Sequence, residues 1–258
     1  MNRKDILSHI TKVIALAMAC YHFYVVAFGV PSVFFFRGTH LLFSLVLIFL
    51  LYPVKLSLPR MMPRKMLDGL FLVISVASIG HIFINHDYVL NRFAYVDDLL
   101  VIDLVLGTSL LIVTLEATRR VIGLALPVTA SIFLAYALFV DQISYGQLID
   151  QMYLTTEGIF GIPINVSATY MVLFILFGAL VERSGTGKLF RDFSLALAGS
   201  SAGGPAKVAC VTSAMFGTVS GSSTANVMTT GTFTIPLMKK IGYRPAFSGA
   251  VEAVASTG

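Results

Sequence analysis

The chain has 258 residues, of which 57% are apolar and only 12% charged, with a formal net charge of +5 and a mean hydropathy of +0.86. Soluble domains carry about a quarter charged residues, so a soluble globular protein is excluded, and so is a disordered chain, which would be far less apolar. No Gly-x-y period is present, and two cysteines, Cys20 and Cys210, cannot build a disulfide framework. Both cysteines lie among apolar or small residues and are expected to be small buried hydrophobes. What remains is an all-α, polytopic membrane protein in contact with lipid.

A bilayer core needs about 20 apolar residues per crossing helix. Stretches free of Asp, Glu, Lys and Arg cover residues 13–36, 38–54, 69–86, 121–140 and 158–181, and residues 99–115 are interrupted by Asp103 alone. The first is too long for the apolar part of a removable signal and lacks a small-x-small exit, so it is expected to stay as a membrane helix. With a cytoplasmic N-terminus, the basic groups at Arg3 to Lys12, Lys55 to Lys65, Arg119 and Arg120, and Arg183 to Lys207 all fall on one side. Lys239, Lys240 and Arg244 join them. Of 18 basic residues only Arg37 and Arg92 fall opposite, alongside Asp87, Asp97, Asp98, Asp141, Asp150 and Glu157. This is the positive-inside asymmetry of a multi-pass inner-membrane protein; a nucleic-acid partner would need those cations gathered on one folded surface.

Residues 208–238 behave differently. They are uncharged and flanked by Lys207 at one end and by Lys239 and Lys240 at the other. One straight helix of that length would reach about 46 Å, too long for the bilayer, and would carry its basic ends to opposite sides. Folded back as a re-entrant helical hairpin, each arm reaches about the midplane. The tip G-T-V-S-G-S-S-T-A-N runs from Gly217 to Asn226 and is followed by Thr229, Thr230, Gly231, Thr232 and Thr234. Glycines let the backbone leave helical geometry, and hydroxyl and amide groups satisfy what this exposes. Irregular backbone at that depth survives only beside protein or a watery cavity, so the tip around Ser220 is expected to line a site. A second arm starting near Ser222 or Ser223 would direct free N–H groups at an anion. The end of the first arm, with the hydroxyls and the Asn226 amide, offers hard oxygen ligands for Na⁺ at Ser220, Ser222 and Asn226. The structural alternative is close helix packing through the Gly217/Gly221 G-x-x-x-G spacing.

Other ionisable groups lie near apolar stretches. Asp103 and Glu116 sit near span ends, where interfacial pairing is expected, Glu116 with Arg119 and Arg120; His81 is expected to be wet. Glu252 is deeper, and both a coupling or substrate-cavity role and a structural hydrogen bond are open to it. Ser184 to Lys188 resembles the end of a phosphate loop, but Glu182 stands at the first glycine position and Leu189 replaces the required Ser or Thr. No nucleotide site, and hence no ATPase role, is expected. The histidines are scattered without metal-ligand spacing. An intramembrane serine hydrolase using Ser220 lacks the G-x-S-x-G spacing, and no histidine follows that serine. The chain is therefore expected not to be an enzyme. Residues 188–198 set Leu189, Phe190, Phe193 and Leu197 on one face, which predicts an in-plane interfacial helix. Residues 141–166 are acidic and are expected to form a solvated connection or part of a docking surface.

Several long motifs occur in order: L-E-A-T-R-R-V-I-G-L-A-L-P, Y-L-T-T-E-G-I-F-G-I-P, G-G-P-A-K-V-A, F-G-T-V-S-G-S-S-T-A-N-V-M-T-T-G-T-F-T-I-P-L-M-K and G-Y-R-P-A-F-S-G-A-V-E-A-V-A-S-T-G. Together they resemble the fused membrane subunit of tripartite ATP-independent periplasmic (TRAP) transporters of the TAXI type, strongly over residues 99–258 and only in span pattern before that. The resemblance implies a bacterial inner-membrane secondary importer. A periplasmic solute-binding protein delivers a small organic acid, and an ion gradient, usually of Na⁺, drives uptake by an elevator-like motion. It implies a four-helix small-subunit-like domain over 1–118. The start of the transport domain, over 119–258, would hold two spans, the interfacial helix, the hairpin at 208–238 and an incomplete final helix. In the family the large part continues beyond what this chain holds, so the chain resembles an N-terminal portion; a structural subunit or inactive fragment is the alternative. The expected ion or substrate contacts are Gly217, Ser220, Gly221, Ser222, Ser223, Asn226, Thr229, Thr230, Thr232 and Glu252.

Overall fold

The computed structural model describes residues 3–54, 64–181, 184–185, 187–218 and 223–257, which fall into two compact units, Met1–Thr169 and Tyr170–Gly258. The described residues are helical without a strand, as expected of a polytopic helical membrane protein. Four helices are long and apolar enough to cross a bilayer: Leu7–Phe28, Val33–Leu51, Met66–Ile84 and Val101–Ile122.

The first unit contains α1 (Arg3–Phe28), α2 (Val33–Leu51), α3 (Arg64–Ile84), α4 (His86–Asn91), α5 (Val101–Ile122), α6 (Ala125–Phe139), α7 (Tyr145–Ile149) and α8 (Ile162–Val166), with a π-helical turn at Asp150–Leu154; a second π-helical turn, Ser167–Met171, runs across the division at Thr169. Helix boundaries differ from the charge-free stretches for local reasons. Gly29 adopts φ 101° and Pro31 follows, so the first apolar stretch is cut and Val33 to Phe36 open α2. Arg37 consequently lies inside α2 instead of in a connection, and its guanidinium donates to the Phe160 carbonyl at 2.6 Å. Gly123, at φ 100°, likewise ends α5 and leaves α6 only 15 residues, about 22 Å of helix.

The core is built by α2, α3 and α5 through Leu45, Phe49, Ile79, Ile82, Leu110 and Val113. Residues 141–166 do more than connect: Ile149, Tyr153 and Phe160 enter this core and are fully buried. Gly107 permits their approach, because a Cβ there would lie 2.6 Å from Ile149 Cγ2 and 3.0 Å from Tyr153 Cβ. Gly107→Ala is therefore expected to lower the stability of this unit by about 1–3 kcal/mol through overpacking, read by chemical unfolding in micelles.

Glu116 accepts from Arg119 at 2.7 and 2.8 Å and from Arg120 at 2.9 Å. Asp103 and His81 are not at a wet interface. Asp103 is fully buried and the His81 side chain is 11% exposed, because α4 and the π turn Asp150–Leu154 cover that end of the bundle. Neither cysteine is buried: Cys20 and Cys210 are both exposed, on helix faces turned away from the cores.

The second unit contains α9 (Val172–Val181), α10 (Gly187–Ala198), α11 (Gly204–Gly217), α12 (Ser223–Lys240) and α13 (Pro245–Ala255). On α10, Leu189, Phe193 and Leu197 form an exposed apolar stripe. Phe190 leaves that stripe, turning with buried Ser194 and Ala198 toward α11, where its ring meets Phe216 edge-to-face at 5.3 Å. Gly203, at φ 72°, and Pro205 start α11. The long uncharged stretch is not one helix: α11 and α12 are separate, and they pack on each other and on α13.

Candidate functional site

The helices α11, α12 and α13 meet around one carboxylate. Asn226, Thr230 and Thr234 recur every four residues and so form a single stripe down α12. All three are buried, as are Thr212 and Ser213 of α11 and Glu252 and Ser256 at the end of α13. The Thr230 and Thr234 hydroxyls donate to Glu252, one to each carboxylate oxygen. Ser213 Oγ lies 3.4 Å from Glu252 Oε1 and Ser256 Oγ 3.5 Å from it, and the two serine hydroxyls are 3.3 Å apart. Gly231 gives the carboxylate its place, since a Cβ there would stand 3.3 Å from Glu252 Cγ.

Counting hydrogens shows what the cradle lacks. Each hydroxyl has one hydrogen, yet Thr230 Oγ1 also faces the Asn226 carbonyl at 2.8 Å, and Thr234 Oγ1 the Thr230 carbonyl at 2.9 Å. Asn226 Nδ2 donates to the Ser213 carbonyl at 2.9 Å, which leaves Asn226 Oδ1 buried with no hydrogen-bond partner among the described residues, as is Thr212 Oγ1. Among the described residues no Lys, Arg or His forms an ion pair with Glu252. A fully desolvated carboxylate without a counter-charge costs several kcal/mol. Hydrogen bonds to a charged group return about 1.5–3 kcal/mol each, and here their donors are divided among competing acceptors. The arrangement is short of positive charge and rich in hard oxygens, which suits a proton or an alkali cation.

Of the residues expected from sequence, Asn226, Thr230 and Glu252 come together here. Ser220, Gly221 and Ser222 lie outside the described residues. Gly217 is exposed at the end of α11 with nothing described within 4 Å of a Cβ added there. Ser223 is exposed at the start of α12, Thr229 is half-buried beside the stripe, and Thr232 is exposed and donates to the Thr229 carbonyl. The cradle residues not anticipated as contacts are Ser213, Thr234 and Ser256. For Thr234 and Ser256 the signal was the four-residue period extending from Asn226 to Thr234 and from Glu252 to Ser256; Ser213 carried none.

Long apolar helices together with a hydroxyl-lined buried carboxylate define a polytopic helical membrane protein with an oxygen-rich polar cluster inside its second unit. The sequence places it further. Residues 109–258 match the family described as tripartite ATP-independent periplasmic transporter, DctM component, and the chain belongs to that family. That family is one of membrane transporter components, not of enzymes. The chain is also similar to the Salmonella typhimurium protein YgiK, described as uncharacterized, with 31% identity over 83 residues, which is 32% of this chain and 19% of that protein. The aligned part thus spans about a fifth of the relative. No solved structure matches the chain.

Proposed function

We propose that the chain is the membrane permease part of a TAXI-type TRAP transporter, importing a small organic acid delivered by a periplasmic solute-binding protein and driven by a Na⁺ gradient. The observation that carries this reading is Glu252, buried among the hydroxyls of three helices with no cationic partner among the described residues. Intramembrane carboxylates of this kind mark ion pathways, and secondary transporters bind ion and substrate near the midplane with broken helices. In our reading α11 and α12 are the arms of a re-entrant hairpin. Their 14 and 18 residues give about 21 and 27 Å of helix, and the basic residues at both outer ends favour one cytoplasmic face. Na⁺ would contact Glu252, Asn226 Oδ1 and the hydroxyls of Ser220 and Ser222, and the start of α12 would face the substrate carboxylate. Residues 1–118 would act as the small-subunit-like domain and residues 119–258 as the start of the transport domain, a division that the family match beginning at residue 109 supports.

The test is uptake of labelled organic acids into proteoliposomes holding the full-length permease with its binding protein, with and without a Na⁺ gradient. The reading expects uptake that needs both the gradient and the binding protein, and that falls when Ser222 and Asn226 are changed to Ala. Uptake indifferent to those changes would remove the site assignment. A purely structural subunit would show no uptake of its own.

A further inference from the structure

The second unit carries an open groove on a face of α13 that Glu252 does not use, and it is independent of the transport reading. α11 and α13 run in the same direction. At their starts the Tyr243 hydroxyl lies 3.9 Å from the place a Cβ would take on Gly203, and further along Ser213 Oγ lies 3.3 Å from Ser256 Oγ. Beside this pair lies a cavity of about 910 Å³. Lys207, Cys210 and Ala214 line it from α11, and Phe247, Val251 and Val254 from α13. Residues three or four apart share one face of a helix. From Lys207 to Ala214, and from Phe247 to Val254, the groove follows about 10 Å of helix.

This groove is apolar along its length and cationic at one end. Among the described residues its one charged lining side chain is Lys207, exposed near the start of α11, and no acidic side chain lines it. Arg244, also exposed, immediately precedes α13 at the same end. Neither cation forms an ion pair among the described residues. Both helices begin here, so their positive ends add to the two charges. Tyr243 brings a hydroxyl to this end, and its ring meets Phe247 edge-to-face at 5.7 Å. Phe247 and Val254 are large apolar side chains left exposed along the groove. Small-molecule sites occupy about 300–1,000 Å³, and basic pockets between membrane helices hold anionic lipid headgroups. A neutral lipid would leave the cations unmatched, and a water-soluble anion would leave the apolar walls bare. An anion with a hydrocarbon tail satisfies both.

We propose that the groove between α11 and α13 binds an anionic phospholipid, with its phosphate at Lys207, Arg244 and the Tyr243 hydroxyl and one acyl chain lying along Cys210, Ala214, Val251 and Val254. The bound chain covers the exposed Phe247 and Val254, and the headgroup ties together the starts of the two helices. The contacts fall on faces of α11 and α13 turned away from the Glu252 cradle, so the lipid occupies a site of its own.

Cys210 lines the groove, so its thiol reports whether the groove is filled. In the full chain carrying Cys20→Ser, alkylation of Cys210 by N-ethylmaleimide is followed in neutral detergent micelles with increasing dioleoylphosphatidylglycerol, with increasing dioleoylphosphatidylcholine, or with inorganic phosphate. Phosphatidylglycerol is expected to protect Cys210 at mole fractions where phosphatidylcholine does not, and phosphate alone should give no protection. Each Lys or Arg near an anionic headgroup changes binding by about fivefold, so Lys207→Gln should raise the half-protecting mole fraction about fivefold, and Lys207→Gln with Arg244→Gln about 30-fold. Equal protection by the two lipids, protection by phosphate alone, or variant curves that coincide with the parent would overturn the proposal. So would protection without lipid that grows with protein concentration, the mark of a second copy seated in the groove. If a variant fails to fold, the comparison of the two lipids on the parent decides alone, selective protection by phosphatidylglycerol supporting the proposal and equal protection refuting it.

Discussion

Glu252→Gln in the full-length permease is expected to lower Na⁺ affinity by about 100-fold and to abolish gradient-driven uptake at low Na⁺. Breaking a buried charge pair costs about 3–5 kcal/mol, and the lower figure already corresponds to a factor above 100 in binding. The same change should leave the fold intact or firmer. Gln retains the shape and the acceptor for Thr230 or Thr234 while removing a buried charge that no cationic side chain balances among the described residues. Thermal unfolding without Na⁺ should therefore place the variant at or above wild type, while added Na⁺ stabilises wild type alone, as ligand linkage requires. A Gln variant that binds Na⁺ as wild type does would show that the carboxylate does not hold the ion.

The largest stability effect is expected in the other unit. Arg92 and Asp150 form an ion pair whose side chains are 3% and 2% exposed. Arg92→Met leaves Asp150 buried with only the Tyr95 N–H at 2.8 Å among the bonds that remain. An orphaned buried charge of this kind costs about 3–5 kcal/mol. Arg92→Met combined with Asp150→Leu removes both charges and should recover most of that loss, because an apolar pair of similar volume often replaces a buried ion pair at little cost. Denaturant unfolding in micelles checks both variants. A single variant within about 1 kcal/mol of wild type would mean that Arg92 does not neutralise Asp150.

The helical membrane class was legible because apolar stretches of bilayer length announce themselves by composition alone. The ends of the helices were less so: residues 13–36 carry no charge, yet Gly29 and Pro31 cut them, a backbone event that hydropathy does not register. Of the cradle, Asn226, Thr230 and Glu252 stood out as polar groups in apolar surroundings. Ser213, Thr234 and Ser256 did not, because a hydroxyl on a membrane helix can satisfy itself on the preceding turn, and only three-dimensional contact directs it to Glu252. Asp103 and His81 were misjudged for the opposite reason. Positions near span ends implied an interface for Asp103 and water for His81, but α4 and residues 150–160, distant in sequence, fold over them, so that Asp103 is paired as expected yet in an interior.

In the proposed hairpin α11 and α12 enter and leave the membrane from one face while carrying the Asn226 to Thr234 stripe against Glu252. Cysteines placed singly at Lys207 and Lys240, in a full-length protein with Cys20 and Cys210 replaced, can be tested with a membrane-impermeant thiol reagent in right-side-out and inverted vesicles. Both positions should react in inverted vesicles and be protected in right-side-out ones; labelling of the two from opposite faces would contradict the hairpin.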